Sequence, residues 1–123
     1  MKVLVTDDSK MARKMVIKTL KDILKEDVEI HEAQNGLEAL DLYKQILPKI
    51  VFLDLTMPIM DGFEALEKIK EFDKDAKVVI ISADIQKLSI EKASQLGAFN
   101  FIKKPIDLAK MEQILNKINE LAK

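Results

Sequence analysis

Short, wholly apolar runs alternate along this chain with longer amphipathic stretches. Val3-Leu4-Val5, Ile50-Val51-Phe52-Leu53 and Val78-Val79-Ile80-Ile81 contain no polar position, the pattern of strands covered on both faces in a parallel sheet. Val28 and Ile30 instead alternate with Glu29 and His31, which predicts a half-exposed edge strand. Phe99 to Ile102 is a fifth, shorter candidate. Between these runs, apolar residues recur at helical spacing. Met11, Met15, Val16, Leu20, Ile23 and Leu24 form one stripe, and Leu37, Leu40, Tyr43 and Ile46 a second. Phe63, Leu66 and Ile69 form a third, and Leu108, Met111, Leu115, Ile118 and Ala122 the last. Leu88 to Leu96 is less regular, but Gly97 supplies a helix stop. Five strands alternating with five helices predict an α/β domain with right-handed crossovers and helices on both faces. No repeat, low-complexity tract or linker interrupts the pattern, so residues 1–123 are expected to form one domain.

In an open α/β sheet, ligands bind beyond the carboxyl ends of the strands. The first strand is followed there by Asp7 and Asp8, the third by Asp54, the fourth by Ser82 and the fifth by Lys104 before Pro105. The second offers only Glu32 and Asn35, as suits an edge. Two unit charges about 4 Å apart interact by roughly 4 kcal/mol at an effective dielectric of 20. Three converging carboxylates carry several such repulsions, which one lysine cannot cancel. Either some are protonated or a divalent cation joins them. Oxygen ligands without His or Cys favour Mg²⁺ over zinc, and Mg²⁺ commonly recruits a phosphate.

Composition narrows the function classes without pointing to one. A net charge of -1 gives no electrostatic case for nucleic acid or an anionic membrane. With no Trp and 5% aromatic residues, base-stacking platforms are not expected either. The absence of cysteine excludes disulfides and thiolate metal sites and fits a reducing cytoplasm, the expected location. No apolar stretch approaches the roughly 18 residues of a membrane span, and no leader is expected before Met1.

"DDS" after the first strand, "FLDLTMPIMDG" around the third, "ISA" after the fourth and "KKP" after the fifth resemble a response-regulator receiver domain. The resemblance covers essentially the whole chain, in order, and is nearest to stand-alone chemotaxis receivers of the CheY type. It implies a flavodoxin-like, doubly wound sheet in the order 2-1-3-4-5. By that resemblance Asp54 is the phosphoacceptor, taking its phosphoryl group from a histidine kinase. Asp8 and Asp54 bind Mg²⁺ directly, Asp7 binds it through water, and the backbone carbonyl of Thr56 completes the protein ligands. Lys104 pairs with phosphoryl oxygens, and the Lys104–Pro105 bond is cis. Ser82 turns its hydroxyl onto the phosphoryl group while Phe101 moves inward. Phe101 lacks the hydroxyl of the tyrosine found in many relatives, so a switch relying on that hydroxyl is not available.

The resemblance also implies that a protein target binds the surface of the fourth helix, fifth strand and fifth helix, including Lys92, Ala98, Phe99 and Lys110. No direct partner among nucleic acids or membranes is expected. Catalysis is limited to the chain's own phosphorylation and autodephosphorylation, in a pathway such as chemotaxis. Thr56 and Asp84 lie two residues beyond Asp54 and Ser82 and are candidates for setting the lifetime of the phosphoryl group. No output domain is expected after the last helix, unless the chain is the receiver of a larger regulator.

Blander readings exist for each residue alone. One of Asp7, Asp8 or Ser9 caps the first helix whatever else it does, with Ser9 the free candidate once both acids hold metal. Asp54 alone could be a turn acid before Pro58, and Asp61-Gly62 could simply start a helix. Lys103 and the lysine-rich faces of the first and last helices read as solvated. His31 reads as exposed, and Met57 and Met60 as loop packing near the acidic rim. A phosphatase of the haloacid-dehalogenase type also uses a strand-end aspartate with Mg²⁺. It usually has a second acid two residues on, where this chain has Thr56, and it needs a cap for which there is no insertion. A receiver-like module that is never phosphorylated would lack an acid, the hydroxyl or the lysine, and all are present.

Overall fold

The computed structural model describes residues 1–24, 27–84 and 86–121. The chain alternates β1 (Lys2–Thr6), α1 (Lys10–Ile23), β2 (Glu29–Ala33), α2 (Gly36–Ile46), β3 (Ile50–Leu53), α3 (Gly62–Phe72), β4 (Val78–Ser82), α4 (Lys87–Gln95), β5 (Asn100–Lys103) and α5 (Leu108–Leu121). The strands form one parallel sheet in the order β2-β1-β3-β4-β5. This is the predicted flavodoxin-like architecture, with β2 at an edge.

Strand residues point alternately to opposite faces, and in the inner strands both faces are covered. Leu4, Val51, Leu53, Val78 and Ile80 pack with Leu40, Tyr43, Leu66 and Ile69 of α2 and α3 and with Ala93 of α4. Val3, Val5, Ile50, Phe52, Val79 and Ile81 pack on the other side with Val16 and Leu20 of α1 and with Met111, Ile114, Leu115 and Ile118 of α5. Each fully covered side chain of this kind contributes about 1.5–3 kcal/mol of hydrophobic stabilisation. Serine, asparagine and aspartate start three helices by accepting a backbone N–H: Ser9 from Ala12, Asn35 from Glu38 and Asp61 from Glu64.

The helical stripes need correction at their ends. Met11 is 70% exposed and Met15 51% exposed. The inward stripe of α1 is Arg13, Val16 and Leu20, because Arg13 finds partners for its charge inside, as described below. Met15 instead lines a cavity of about 330 Å³ with Ala12, Val16, Ile81, Lys104, Pro105 and Ile106. Leu37 and Leu108, each in the first turn of its helix, are exposed as well. In α2 the buried positions are Gly36, Ala39, Leu40 and Tyr43, which turns Leu37 outward. Val28 precedes β2, and Phe99 precedes β5. Ala122 lies outside the described residues.

Candidate functional site

Parallel register creates the site. Thr6 pairs with Leu53 across β1 and β3, so Asp7 and Asp54 leave the sheet side by side. The Asp54 N–H continues the pairing by donating to the Thr6 carbonyl at 3.1 Å. Ser82 pairs with Lys103 across β4 and β5, and the Lys104 N–H donates to the Ser82 carbonyl at 2.9 Å. Asp7, Asp54, Ser82 and Lys104 therefore share one rim, as their places after the apolar runs predict. The Lys104–Pro105 peptide is cis.

Asp7, Asp54 and Ser82 are buried, whereas Asp8 is exposed. Lys104 Nζ donates to Asp7 Oδ2 at 2.9 Å and to Asp54 Oδ2 at 3.3 Å. Asp54 Oδ1 accepts the Leu55 N–H at 2.8 Å. Burial is the main cause that raises the Asp54 pKa, aided by the neighbouring Asp7 charge; Lys104 and the Leu55 N–H oppose it. Burial acts to lower the pKa of Lys104, but its bond to Asp7 and the charges of Asp54 and Asp7 outweigh this and leave it raised. Asp7, Asp8 and Asp54 each offer an oxygen within 4.8 Å of the others. This donor set is all oxygen, and with Lys104 its three carboxylates are formally two positive charges short of neutral, which fits a hard divalent cation and not a thiophilic one.

The loop after Asp54 is held tightly. The Gly62 N–H donates to the Leu55 carbonyl at 2.8 Å, Thr56 is exposed and Met57 is buried. Ile59, exposed at φ 69°, centres a turn in which the Met60 N–H donates to the Pro58 carbonyl at 2.7 Å. Met60 packs against the core, so both loop methionines are packing residues.

On the other flank, the Ser82 hydroxyl accepts the Asp84 N–H at 3.1 Å. Asp84 does not aim an open carboxylate at the rim. Its Oδ2 accepts the Ser89 hydroxyl at 2.7 Å and its Oδ1 the Gln86 N–H at 3.0 Å. These bonds, the Ser89 hydroxyl foremost, hold its carboxyl below the usual carboxylate range. Phe101 is partly buried and packs against the core on the α2–α3–α4 side. Ile90, Ala93, Ser94, Ala98, Phe99, Asn100 and Phe101 line an open surface pocket of about 260 Å³. His31 Nε2 donates to Glu29 Oε2 on the edge strand, at 2.7 Å, and takes no part in the rim.

Arg13 is the residue that hydrophobic patterning passes over. It is 7% exposed, and its Nη1 donates to the Asp7 carbonyl at 2.7 Å. The available signal is that it is the one arginine among 20 Lys and Arg residues.

A family model described as the response regulator receiver domain matches residues 3–116. This chain belongs to that family. Its receiver domain is similar to the chemotaxis protein CheY of Thermotoga maritima, at 39% identity over 97% of this chain and 98% of the relative. It is 42% identical to that of Halobacterium salinarum, over 84% and 83% of the two chains. Among solved structures it resembles CheY of Borrelia burgdorferi, crystallised in a complex with CheX, BeF3 and Mg²⁺. The TM-score is 0.81 at 36% identity, covering 96% of this receiver and 88% of that chain. The chain is thus a CheY-like receiver of two-component signalling, a class of phosphoaccepting signalling proteins and not of classical enzymes. Among the described residues, no helix is long and apolar enough to cross a membrane.

Proposed function

We propose that this receiver is a phosphorylation switch in which Asp54 accepts a phosphoryl group from a histidine kinase and the outcome is altered protein binding. The observation that carries the reading is the union of Asp7, Asp8 and Asp54 oxygens within 4.8 Å, with Lys104 bonded to two of them. Asp7, Asp8, Asp54 and the Thr56 carbonyl are the groups that would hold Mg²⁺. When bound, the ion supplies charge neutralisation for the carboxylates and for the phosphoryl oxygens.

An Asp54 carboxylate oxygen attacks the phosphorus of a phosphohistidine. A P–O bond forms, the P–N bond breaks, and its electron pair returns to the imidazole. Without the ion, burial and the Asp7 charge hold the Asp54 carboxyl above the usual carboxylate range, a cost of concentrated charge that a divalent cation would relieve. Lys104 lies between Asp7 and Asp54, where it can turn to a phosphoryl oxygen without moving its main chain. Positioning and charge, more than covalent help, account for catalysis of this type.

The switch follows from what Ser82 gives up. If its hydroxyl turns to the phosphoryl group, the Asp84 N–H loses its acceptor, and Asp84 anchors the first turn of α4 through Gln86 and Ser89. Ala93 is the buried residue of α4, so little packing resists its displacement. Phe101 then fills space behind Ser82, and the surface of α4, β5 and α5 changes, including Lys92, Ala98, Phe99 and Lys110. Population shift between two arrangements is sufficient for this. Thr56, exposed beside Asp54, is the candidate for setting the lifetime of the acyl phosphate, and Asp84 would join it only on release from Ser89 and Gln86. A cytoplasmic role in chemotaxis or motor control agrees with the CheY relatives.

Acetyl phosphate with Mg²⁺ should add one phosphoryl group to the intact protein, as read by mass spectrometry, and none to Asp54→Asn. Beryllofluoride should shift the amide signals of Ser82 and Phe101. No mass increase with acetyl phosphate and Mg²⁺, with Asp54 intact, overturns the reading.

A further inference from the structure

Asp7 and Asp8 are consecutive, so the peptide between them sets the angle at which their carboxylates leave the main chain. The carbonyl of that peptide accepts a buried bond from Arg13 Nη1 at 2.7 Å. The same guanidinium donates from Nε to Glu32 Oε1, at the end of β2, at 2.9 Å. The Asp7 N–H donates to the carbonyl of Ala33, the residue after Glu32, at 3.1 Å. Asp7 is therefore tied to β2 on both sides, directly through its N–H and through Arg13 at its carbonyl.

Stability alone is a weak reason for this arginine. Its side chain is 9% exposed but that of Glu32 is 46% exposed, so the pair combines the desolvation of a buried cation with the small Coulombic gain of a solvated acid. What an apolar side chain could not supply is a fixed pair of donors. A lysine would keep the charge yet lose the planar fork that reaches two acceptors in set directions.

We infer that Arg13 is a positioning residue for the acidic cluster: by holding the Asp7–Asp8 peptide against β2, it sets the spacing of the two carboxylates for a small divalent cation. The inference rests on the metal reading above. It extends that reading to a residue that does not itself ligate.

Mg²⁺ demands near-ideal octahedral geometry, whereas Ca²⁺ accepts flexible and irregular coordination. Positioning is therefore separable from charge. The unphosphorylated protein is titrated with MgCl₂ and, separately, with CaCl₂, following amide shifts of Asp8 and Leu55, for the parent chain, Arg13→Lys and Glu32→Gln. Arg13→Lys, which preserves the charge, should weaken Mg²⁺ binding about tenfold, in the range seen when groups supporting metal ligands are altered. Ca²⁺ binding should weaken by a clearly smaller factor. Glu32→Gln, whose altered group is half exposed, should move Mg²⁺ affinity in the same direction by less. In metal-free Arg13→Lys, the Asp8 amide nitrogen, which shares the peptide with the Asp7 carbonyl, should shift.

Parental Mg²⁺ affinity in both folded variants overturns the inference, as does an equal loss for Mg²⁺ and Ca²⁺. If Arg13→Lys does not fold, Glu32→Gln alone decides on the same criteria. Failure of the parent chain to bind either ion overturns the metal reading itself, a separate outcome.

Discussion

Gly62 lies against the main chain of Asp54 so closely that a β-carbon would stand 2.1 Å from the Asp54 carbonyl oxygen and 2.7 Å from Leu55 Cα. Backbone cannot swing aside as a flexible side chain can. The start of α3 and the candidate phosphoacceptor are therefore packed as one unit, further joined by the Gly62 N–H to the Leu55 carbonyl. Gly62→Ala should lower stability by about 1–3 kcal/mol, as overpacking does, and should slow phosphorylation by acetyl phosphate in the fraction that is folded. Urea unfolding and intact-mass kinetics read the two effects. Phosphorylation at the parental rate would show that the Asp54 carboxylate tolerates displacement of its own backbone.

The raised pKa of Asp54 has a stability consequence of definite sign. Folding favours the protonated carboxyl, so its contribution is present below the unfolded pKa, near about 3.9, and is lost as pH rises through the higher folded value. Asp54→Asn is neutral throughout. Without divalent cations, it should be more stable than the parent at pH 7 and indistinguishable from it at pH 3. Urea midpoints at the two pH values check this, and equal stability at pH 7 would contradict it.

Lys104 offsets the charges of Asp7 and Asp54 but also occupies an oxygen of each. Lys104→Met leaves both acids without that donor, a loss of about 2 kcal/mol for hydrogen bonds to charged groups. Added MgCl₂ should then stabilise the variant more than the parent, because no ammonium competes for the same oxygens. Urea midpoints with and without MgCl₂ test the difference. The raised pKa of Lys104 adds a second signature, because its contribution is present below the unfolded lysine pKa, near about 10.4, and is lost as pH rises through the folded value. The parent should weaken relative to Lys104→Met above that range.

Far from the rim, the Tyr43 hydroxyl donates to Asp73 Oδ2 at 2.7 Å, joining α2 to the end of α3. Burial foremost, then the Asp73 bond, pushes the phenol pKa well up. Tyr43→Phe should cost about 0.5–1.5 kcal/mol, the net worth of one such bond, and leave phosphorylation of Asp54 unchanged. Reduced phosphorylation at unchanged stability would show that this pair communicates with the rim.

Much of the site was legible because it depends on position along strands. An apolar run long enough to be a strand locates its own end, so Asp7, Asp8, Asp54, Ser82 and Lys104 could be placed on one rim before any contact was known. The same logic found Ser9 as the α1 cap, since capping joins residues three apart. Spacing alone, two residues beyond Ser82, makes Asp84 a candidate for setting the phosphoryl lifetime. Spacing locates its backbone but does not choose between open water and the hydroxyl of Ser89, five residues on.

Local backbone geometry repeats every two residues in a strand and every 3.6 in a helix. The sequence by itself therefore determined which segments are strands and helices, that the inner strands are covered twice, and which residues stand at the strand ends. Burial of a particular helix residue depends on what arrives from elsewhere. Tertiary structure alone turned Met11 and Met15 outward and Arg13 inward, because Glu32, 19 residues away, and the Asp7 carbonyl satisfy the guanidinium there. It alone brought Lys104 to Asp7 across 97 residues. Periodicity records the shape of one element, while partners for buried charge and room for a β-carbon are properties of several elements packed together.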